Sequence, residues 1–174
     1  NSRTKKAIFE DYMEGAEFSI DALIYNGTFT VTGFADRHIY YPPYFIETGH
    51  TMPSVADSKI KNELIATFAL GAKALGLTQG VAKADIKYTK NGPMIGEIAA
   101  RLSGGYMSGW TFPLSSGCFL TKEALKISVG MEPDYILENR KKIEWNPHPS
   151  VKNSVQPFEL YELESKNVSA ERAW

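Results

Sequence analysis

Several classes of protein are excluded by what this sequence lacks. It contains one cysteine, Cys118, so no disulfide can form within the chain, and this scarcity is typical of a reducing compartment such as the cytoplasm. No apolar run approaches the roughly 18 residues that a membrane-spanning helix needs. The net charge is −1 without a long basic run, whereas nucleic-acid binding requires a concentrated basic surface. We therefore expect a cytoplasmic protein whose partners are neither membranes nor nucleic acids.

Common phosphate-binding and zinc-binding motifs are also missing. The sequence has no GxxxxGK[ST] loop and no GxGxxG after a predicted strand. His38 and His50 lack the spacing of zinc ligands, and Cys118 cannot complete such a site. We interpret Cys118 as a buried packing residue, because free cysteines are mostly buried.

Apolar residues make up 43% of the chain, enough for a hydrophobic core, and they follow two hairpin patterns. The first hairpin joins Phe18–Tyr25 to Thr28–Phe34 through Asn26-Gly27, and Asn-Gly is a strong signal for a two-residue hairpin loop. A two-residue loop sets a pairing register in which polar and apolar side chains lie on opposite faces of the hairpin. The predicted apolar face contains Phe18, Ile20, Ala22, Ile24, Phe29, Val31 and Gly33.

Loops and helices surround the hairpins. Residues Asp36–Met52 contain proline and glycine breakers and are predicted to form a loop or an edge region. Ser54 as N-cap and Gly76 as terminator predict a helix over Val55–Leu75, and a second helix is predicted over Thr121–Val129. Together these elements predict an α+β fold, with an antiparallel β-sheet and helices packed on one face.

The second hairpin is predicted from Val81–Thr89 and Met94–Leu102. Pro93 has no N–H group to donate to a strand partner, which favours a three-residue loop that pairs Lys90 with Met94. A two-residue loop would shift the pairing of the two strands by one residue. The side chains of one strand that face the core would then face solvent. The longer loop therefore decides which side chains share a face.

On that register Asp85, Glu97 and Arg101 lie on one polar face, with Lys83 and Lys87 beside them. One interpretation is an exposed cluster of salt bridges. The other is a divalent metal site, since Mg²⁺ prefers hard oxygen ligands and is commonly held by one or two carboxylates and substrate phosphates. Spacing alone leaves both open.

An acidic segment, Glu10–Gly15, precedes the first hairpin. It is either a solvated connector or an extended hinge whose backbone meets a planar base. Glu17 follows on the polar face and is suited to accept hydrogen bonds from two ribose hydroxyls. The aromatic residues of Arg37–Phe45 form either a loop packed over the sheet or an interface, so a homodimer is compatible with the sequence.

Three motifs in order resemble the ATP-grasp superfamily: EDYMEGAEFSIDALIYNG, FIETGHTMPS and GVAKADIKYTKNGPMIGEIAARLSGG. The resemblance is closest to the carboxylate–amine ligases and to the branch of carbamoyl-phosphate synthase and biotin carboxylase. It implies the second half of an ATP-grasp fold, with ATP held between two α+β subdomains. It also implies transfer of the γ-phosphoryl group to a carboxylate, giving an acylphosphate that an amine, ammonia or a similar nucleophile attacks.

The resemblance implies roles in cofactor binding for the acidic segment. It predicts a side-chain contact near Glu10 and backbone contacts near Asp11 and Met13, with Tyr12 between them in the adenine hinge. It predicts that Glu17 holds the ribose.

The resemblance also implies a metal and substrate site. Asp85 and Glu97 are predicted to bind Mg²⁺, with Mn²⁺ as an alternative, between the phosphates. Arg101 is predicted to be catalytic, over the phosphoryl group or the acceptor, and Gly104 and Gly105 are predicted to lie near the substrate.

Two positions depart from the family pattern. Asp85 replaces a glutamate, and Ala99 replaces an asparagine that would bind a second metal ion. The alternative function is therefore a nucleotide-binding regulatory module without ligase activity, and a purely structural domain is a third interpretation.

The resemblance implies that the other ATP-grasp subdomain precedes this chain. We expect residues 1–130 to form the C-terminal ATP-grasp subdomain and residues 131–174 an extension that packs on it or trails it. The chain alone is expected to be inactive, and its partners are the N-terminal subdomain and small carboxylate and amine substrates.

Overall fold

The computed structural model describes residues 2–134, the backbone of residues 140–143 and 160–163, and residue 149. The helices are α1 Ser58–Ala74, α2 Phe112–Ser116 and α3 Leu120–Ser128, and a π-helical turn, Met107–Thr111, precedes α2. The strands are β1 Ala16–Tyr25, β2 Thr28–Tyr40, β3 Ile46–Thr51, β4 Gly80–Thr89, β5 Gly92–Ala99, β6 Arg140–Ile143 and β7 Leu160–Leu163.

The strands form one sheet in the order β5-β4-β1-β2-β7-β6, and β3 also pairs with β2. The pairs are antiparallel except for β2 with β7, which is parallel. The predicted α+β class with an antiparallel sheet is thus confirmed. Most of the predicted extension, residues 131–174, lies outside the described residues, and the division at residue 130 stays a prediction.

The β1–β2 hairpin has the predicted two-residue turn and an unpredicted bulge. Tyr25 pairs with Thr28, while Asp21 pairs with Gly33 and Ala22 with Val31, so one extra residue is inserted in β2. A bulge of this kind reverses the facing of the residues beyond it. The assignment of Gly33 to the apolar face is therefore wrong. Phe34 takes that place, and its ring centroid lies 5.6 Å from that of Phe18.

For residues 36–52, predicted as a loop or an edge region, the structure shows two paired strands. The alternating strand β2 continues to Tyr40, and β3 returns beside it, pairing His38 with Gly49 and Arg37 with His50. The breakers Pro42 and Pro43 lie in the connection between these strands, where a missing N–H group removes no strand pairing.

In the β4–β5 hairpin Asp85 and Glu97 lie on one face, as predicted, but the loop that joins the strands is not the predicted one. Thr89 pairs with Gly92, so the loop has two residues and the predicted three-residue loop is wrong. Since β5 is an edge strand, it accommodates Pro93. A bulge at Gly96 then inserts one residue, so Asp85 pairs directly with Glu97. A Cβ atom at Gly96 would lie 3.2 Å from the backbone oxygen of Asp85.

Helix α1 begins three residues later than predicted. Its N-cap is Asp57, whose Oδ1 accepts from the Ile60 N–H at 2.9 Å, so the assignment to Ser54 is wrong. Ser54 instead donates to Asp36 at 2.5 Å and fixes the approach to the helix. The predicted exit is confirmed, because Gly76 follows the last turn at φ +75°.

The helices cover both faces of the sheet rather than the single face expected. The buried side chains of α1, such as Phe68, pack on the apolar residues of β1, β2 and β4. On the opposite face the π-helical turn, α2 and α3 surround Ala35 and the buried Cys118, as the sequence predicted for the cysteine. Within the described chain, no helix has the length and apolar character needed to cross a membrane.

Candidate active site

The polar face of the sheet carries three rows of facing side chains, because four strands pair in register across it. In the middle row Ser19 faces Asp85, and Asp85 faces Glu97. The row toward the hinge contains Arg37, Glu17 and Lys87, and the row on the other side contains Gly33, Asp21, Lys83 and Ala99. The register thus brings the predicted ribose-binding and metal-binding acids to adjacent rows.

Cations lie between these acids. The Nζ atom of Lys83 is 2.6 Å from Oδ2 of Asp85 and 3.3 Å from Oε1 of Glu97. The Nη1 atom of Arg37 is 3.3 Å from Oδ2 of Asp85 and 2.6 Å from Oε1 of Glu17. The salt-bridge cluster and the metal site inferred from the sequence therefore use the same side chains.

The ion pairs continue to the hinge. Lys87 Nζ lies 3.3 Å from Oε2 of Glu17 and donates to the backbone oxygen of Met13 at 3.2 Å. Arg37 also donates to Oε2 of Glu47 at 2.8 Å. Burial acts to lower the pKa of Arg37, but the hydrogen bond to Glu47 and the nearby carboxylate charges raise it overall. The guanidinium therefore stays charged.

A cavity of about 300 Å³ opens beside the hinge. Its lining includes Tyr12, Glu17 and Lys87. The Tyr12 ring stacks on Phe45 with centroids 5.1 Å apart, and Lys87 Nζ lies 5.0 Å from the centroid of Tyr12. This wall combines an aromatic surface, a carboxylate and an ammonium group.

A second cavity, of about 620 Å³, lies on the other side of the hinge. It is lined by Asp11 and Met13 together with the β4–β5 loop at Lys90 and Asn91. Glu10 is exposed and lines neither cavity. Four of the five predicted nucleotide-binding residues thus border one of these two cavities, and Glu10 borders neither.

The predicted catalytic arginine lies just beyond the end of β5. Arg101 Nη2 is 3.4 Å from Oε1 of Glu97, and Nη1 donates to the backbone oxygen of Leu102 at 3.2 Å. Gly104 and Gly105 follow, and a Cβ atom at either would meet no atom within 4 Å. The guanidinium therefore lies beside the predicted metal ligands, with open space at the glycine pair.

Sequence reasoning missed a buried carboxylate that anchors this segment. Asp21 is fully buried, and its Oδ1 accepts from Ser103 Oγ at 2.5 Å and from Ser103 N at 3.2 Å. Ser108 Oγ donates to Oδ2. Burial raises the pKa of Asp21, although the serine hydrogen bonds oppose that shift. The available signal for this role was an acid flanked by the apolar residues Ile20 and Ala22 within β1.

Two basic residues, Arg37 and Lys83, were also not assigned to the candidate site from the sequence. Arg37 fell in the segment predicted as a loop or an edge region, although two-residue alternation continued beyond Phe34 places it on the face of Glu17. Lys83 was noted only as a neighbour of Asp85, because its position between two carboxylates depends on the bulge in β5.

The carboxylates fit a metal ion that is bound together with phosphates. In the part of the chain that the structure describes, no group of three or more His, Cys, Asp or Glu side chains is placed to hold a metal ion. Asp85 and Glu97 instead provide two facing hard-oxygen donors. Mg²⁺ in nucleotide sites is usually held in this manner, with substrate phosphates and water completing its six ligands.

A sequence model of the ATP-grasp domain matches residues 1–109, which is more than half of the chain. The chain belongs to the ATP-grasp domain family. Carnosine synthase 1 from Gallus gallus is 27% identical over 123 residues, which are 71% of this chain and 13% of that protein. The Homo sapiens protein is 26% identical over 71% of this chain and 15% of its own length. The chain thus spans about a seventh of these curated relatives.

Solved structures share the ATP-grasp fold with this chain. Phosphoribosylglycinamide synthetase from Anaerococcus prevotii superposes with a TM-score of 0.63 at 20% identity, over 71% of this chain and 31% of that one. L-amino acid ligase from Bacillus licheniformis gives 0.62 at 23% identity, over 66% and 29%. These likenesses show the fold alone, and with the family match they confirm the resemblance read from the sequence.

Proposed function

We propose that this chain forms one wall of an ATP site and that the intact protein is an ATP-dependent C–N ligase. In this reaction the γ-phosphoryl group of ATP passes to a substrate carboxylate, giving an acylphosphate. An amine, ammonia or a similar nucleophile then attacks the acyl carbon and displaces phosphate. The N-terminal ATP-grasp subdomain of the same protein would supply the opposite wall.

The observation that carries this proposal is the direct pairing of Asp85 with Glu97 on a face rich in cations. Two hard-oxygen donors suit Mg²⁺, and the surrounding Lys83, Arg37 and Arg101 suit the negative charge of a polyphosphate. Bound Mg²⁺ would neutralise charge on the phosphates. Arg101, exposed just beyond the end of β5 and next to Glu97, would stabilise the phosphoryl group in transfer or the acceptor carboxylate.

The hinge is proposed to hold the nucleoside. Asp11 and Met13 border one cavity, and Glu17 borders the other and can accept hydrogen bonds from ribose hydroxyls. The space at Gly104 and Gly105 would admit the substrate. The names of the relatives, a carnosine synthase and an L-amino acid ligase, support carboxylate and amine substrates as a class.

The test is a titration of Mg·ADP into the intact protein and into its Glu97→Gln variant, with turnover measured in parallel. We expect weaker binding and a large loss of turnover in the variant, because one charged metal ligand becomes a neutral amide. Glu132→Gln, at an exposed acid, is the matched control and should behave as wild type. Equal affinity and equal turnover in Glu97→Gln would contradict the metal assignment.

A second candidate function, a regulatory nucleotide-binding module, is favoured by Ala99. Its methyl group offers no metal ligand opposite Lys83. This candidate predicts that the intact protein binds nucleotide but releases no ADP when carboxylate and amine substrates are added. Substrate-stimulated ADP release separates the two, since only the ligase produces it.

A further inference from the structure

The position of Lys83 bears on how many metal ions the candidate site accepts. Lys83 lies on β4 directly opposite Ala99, one row from Asp85 and Glu97. Its side chain is only 7% exposed, and its ammonium group bridges the two carboxylates at 2.6 and 3.3 Å. The side chain thus places a positive charge inside the acidic pair.

The cations converge on one oxygen of each carboxylate. Oδ2 of Asp85 is approached by Lys83 at 2.6 Å and by Arg37 at 3.3 Å. Oε1 of Glu97 is approached by Lys83 at 3.3 Å and by Arg101 at 3.4 Å. The other oxygens would then face a metal ion: Oδ1 of Asp85, which also accepts from Ser19 Oγ at 3.1 Å, and Oε2 of Glu97.

Charge and burial argue that the ammonium remains when a divalent ion binds. A buried ammonium group that leaves both charged partners loses its compensation without regaining full hydration. If Lys83 stays, it balances one of the two negative charges of Asp85 and Glu97. A second divalent ion among these side chains would then face a like charge a few ångströms away, in a partly dry environment that screens it poorly.

We propose that Lys83 serves as a fixed monovalent cation in the place of a second divalent ion, so that the site holds one Mg²⁺ for each nucleotide. This inference rests on the proposed function, because it concerns the same carboxylates. Lys83 is here a positioning residue. It holds Oδ2 of Asp85 and Oε1 of Glu97 and directs their other oxygens toward a single metal ion.

The experiment counts Mn²⁺ by electron paramagnetic resonance in the intact protein with a non-hydrolysable ATP analogue. We expect one bound Mn²⁺ for each nucleotide in the wild type. Without nucleotide, Lys83→Ala should bind Mn²⁺ about tenfold more tightly than wild type, because the variant removes a like charge that lies a few ångströms from the metal ion. Lys83→Arg keeps the charge and should stay close to wild type. Lys59→Ala, at an exposed lysine of α1, is the matched control.

The outcomes separate this inference from the function on which it rests. Two Mn²⁺ ions per nucleotide in the wild type would overturn the inference and leave the ligase proposal intact. Unchanged Mn²⁺ affinity in a folded Lys83→Ala variant would also overturn it. A wild-type protein that binds neither nucleotide nor Mn²⁺ would overturn both. The wild-type count requires no variant, so poor folding of Lys83→Ala does not remove the test.

Discussion

The two faces of the sheet are made from the same strands, yet they are held together by different forces. On the apolar face, Ile20 of the sheet and Phe68 of α1 are fully buried in one hydrophobic cluster. On the polar face, ion pairs such as Arg37 with Glu17 link one row to the next. Burial of apolar area is non-directional, whereas each ion pair depends on one particular partner. The apolar face therefore provides stability that does not depend on the arrangement of the chemical groups opposite.

The two bulges decide which residues join which face. The extra residue in β2 moves Phe34 to the apolar side, and Gly96 in β5 returns Glu97 to the polar side. Without the second bulge, the two-residue loop would turn Glu97 toward α1. A single inserted residue is thus enough to move a side chain from the hydrophobic core to the polar face that carries the candidate site.

The largest expected effect comes from the apolar face. Phe68→Ala removes a fully buried ring whose centroid lies 5.0 Å from that of Phe29. We expect the free energy of unfolding to fall by about 4 kcal/mol, because the deletion leaves a cavity in the core. Urea denaturation measures this loss. Leu75→Ala, at the exposed end of the same helix, should change stability by less than about 0.5 kcal/mol, and similar losses in both variants would contradict the comparison.

A smaller loss is expected on the polar face. Arg37→Met leaves the carboxylates of Glu17 and Glu47 without their shared cation, and we expect a loss of about 2 kcal/mol that shrinks at high salt. The same denaturation assay, run at low and high salt, measures both quantities. Lys122→Met removes an exposed cation and should cost well under about 1 kcal/mol. A salt-independent loss in Arg37→Met would show that packing, not charge, holds this face.

A still smaller effect should depend on pH. Burial raises the pKa of Asp21, so the folded state favours the neutral carboxyl group, and its contribution to stability is lost as pH rises through the raised pKa. Asp21→Asn does not titrate, so its stability should improve relative to wild type as pH rises above the ordinary pKa of aspartate, about 4. Denaturation at several pH values measures this difference.

Asp134→Asn supplies a control of opposite sign for the pH series. Hydrogen bonds from Lys126 and Lys122 lower the pKa of Asp134 to about 2. Its stabilising contribution is present above the ordinary pKa of aspartate and is lost as pH falls through the lowered one. The variant should therefore lose stability relative to wild type as pH rises across that interval. Slopes of the same sign in the two variants would refute the assignment of causes.

The smallest effect concerns the other apolar cluster. Burial raises the pKa of Cys118 to about 12, and the side chain is fully buried. We expect no reaction with a thiol reagent at about pH 8 in the native protein and complete reaction in concentrated urea. Rapid native reaction would mean that the cluster around Cys118 opens readily.

Local signals in the sequence were sufficient for several features. The Asn26-Gly27 turn requires positive φ angles, which these residues adopt readily, and Gly76 ends α1 for the same reason. Capping was harder to predict, since Ser54 and Asp57 both suit an N-cap. Contact with Asp36 removed Ser54 from that role. Strand β3 was missed because its partner β2 was expected to end at Phe34.

The sequence by itself determined the family and the residue types of the candidate site, because motifs and alternation are properties of neighbouring residues. Only the tertiary structure decided which charges meet. Lys83 reaches both Asp85 and Glu97 because β5 contains a bulge, and Asp21 meets Ser103 across 82 residues of chain. Register and bulges depend on how the whole sheet packs against its helices, so no short stretch of sequence contains that information.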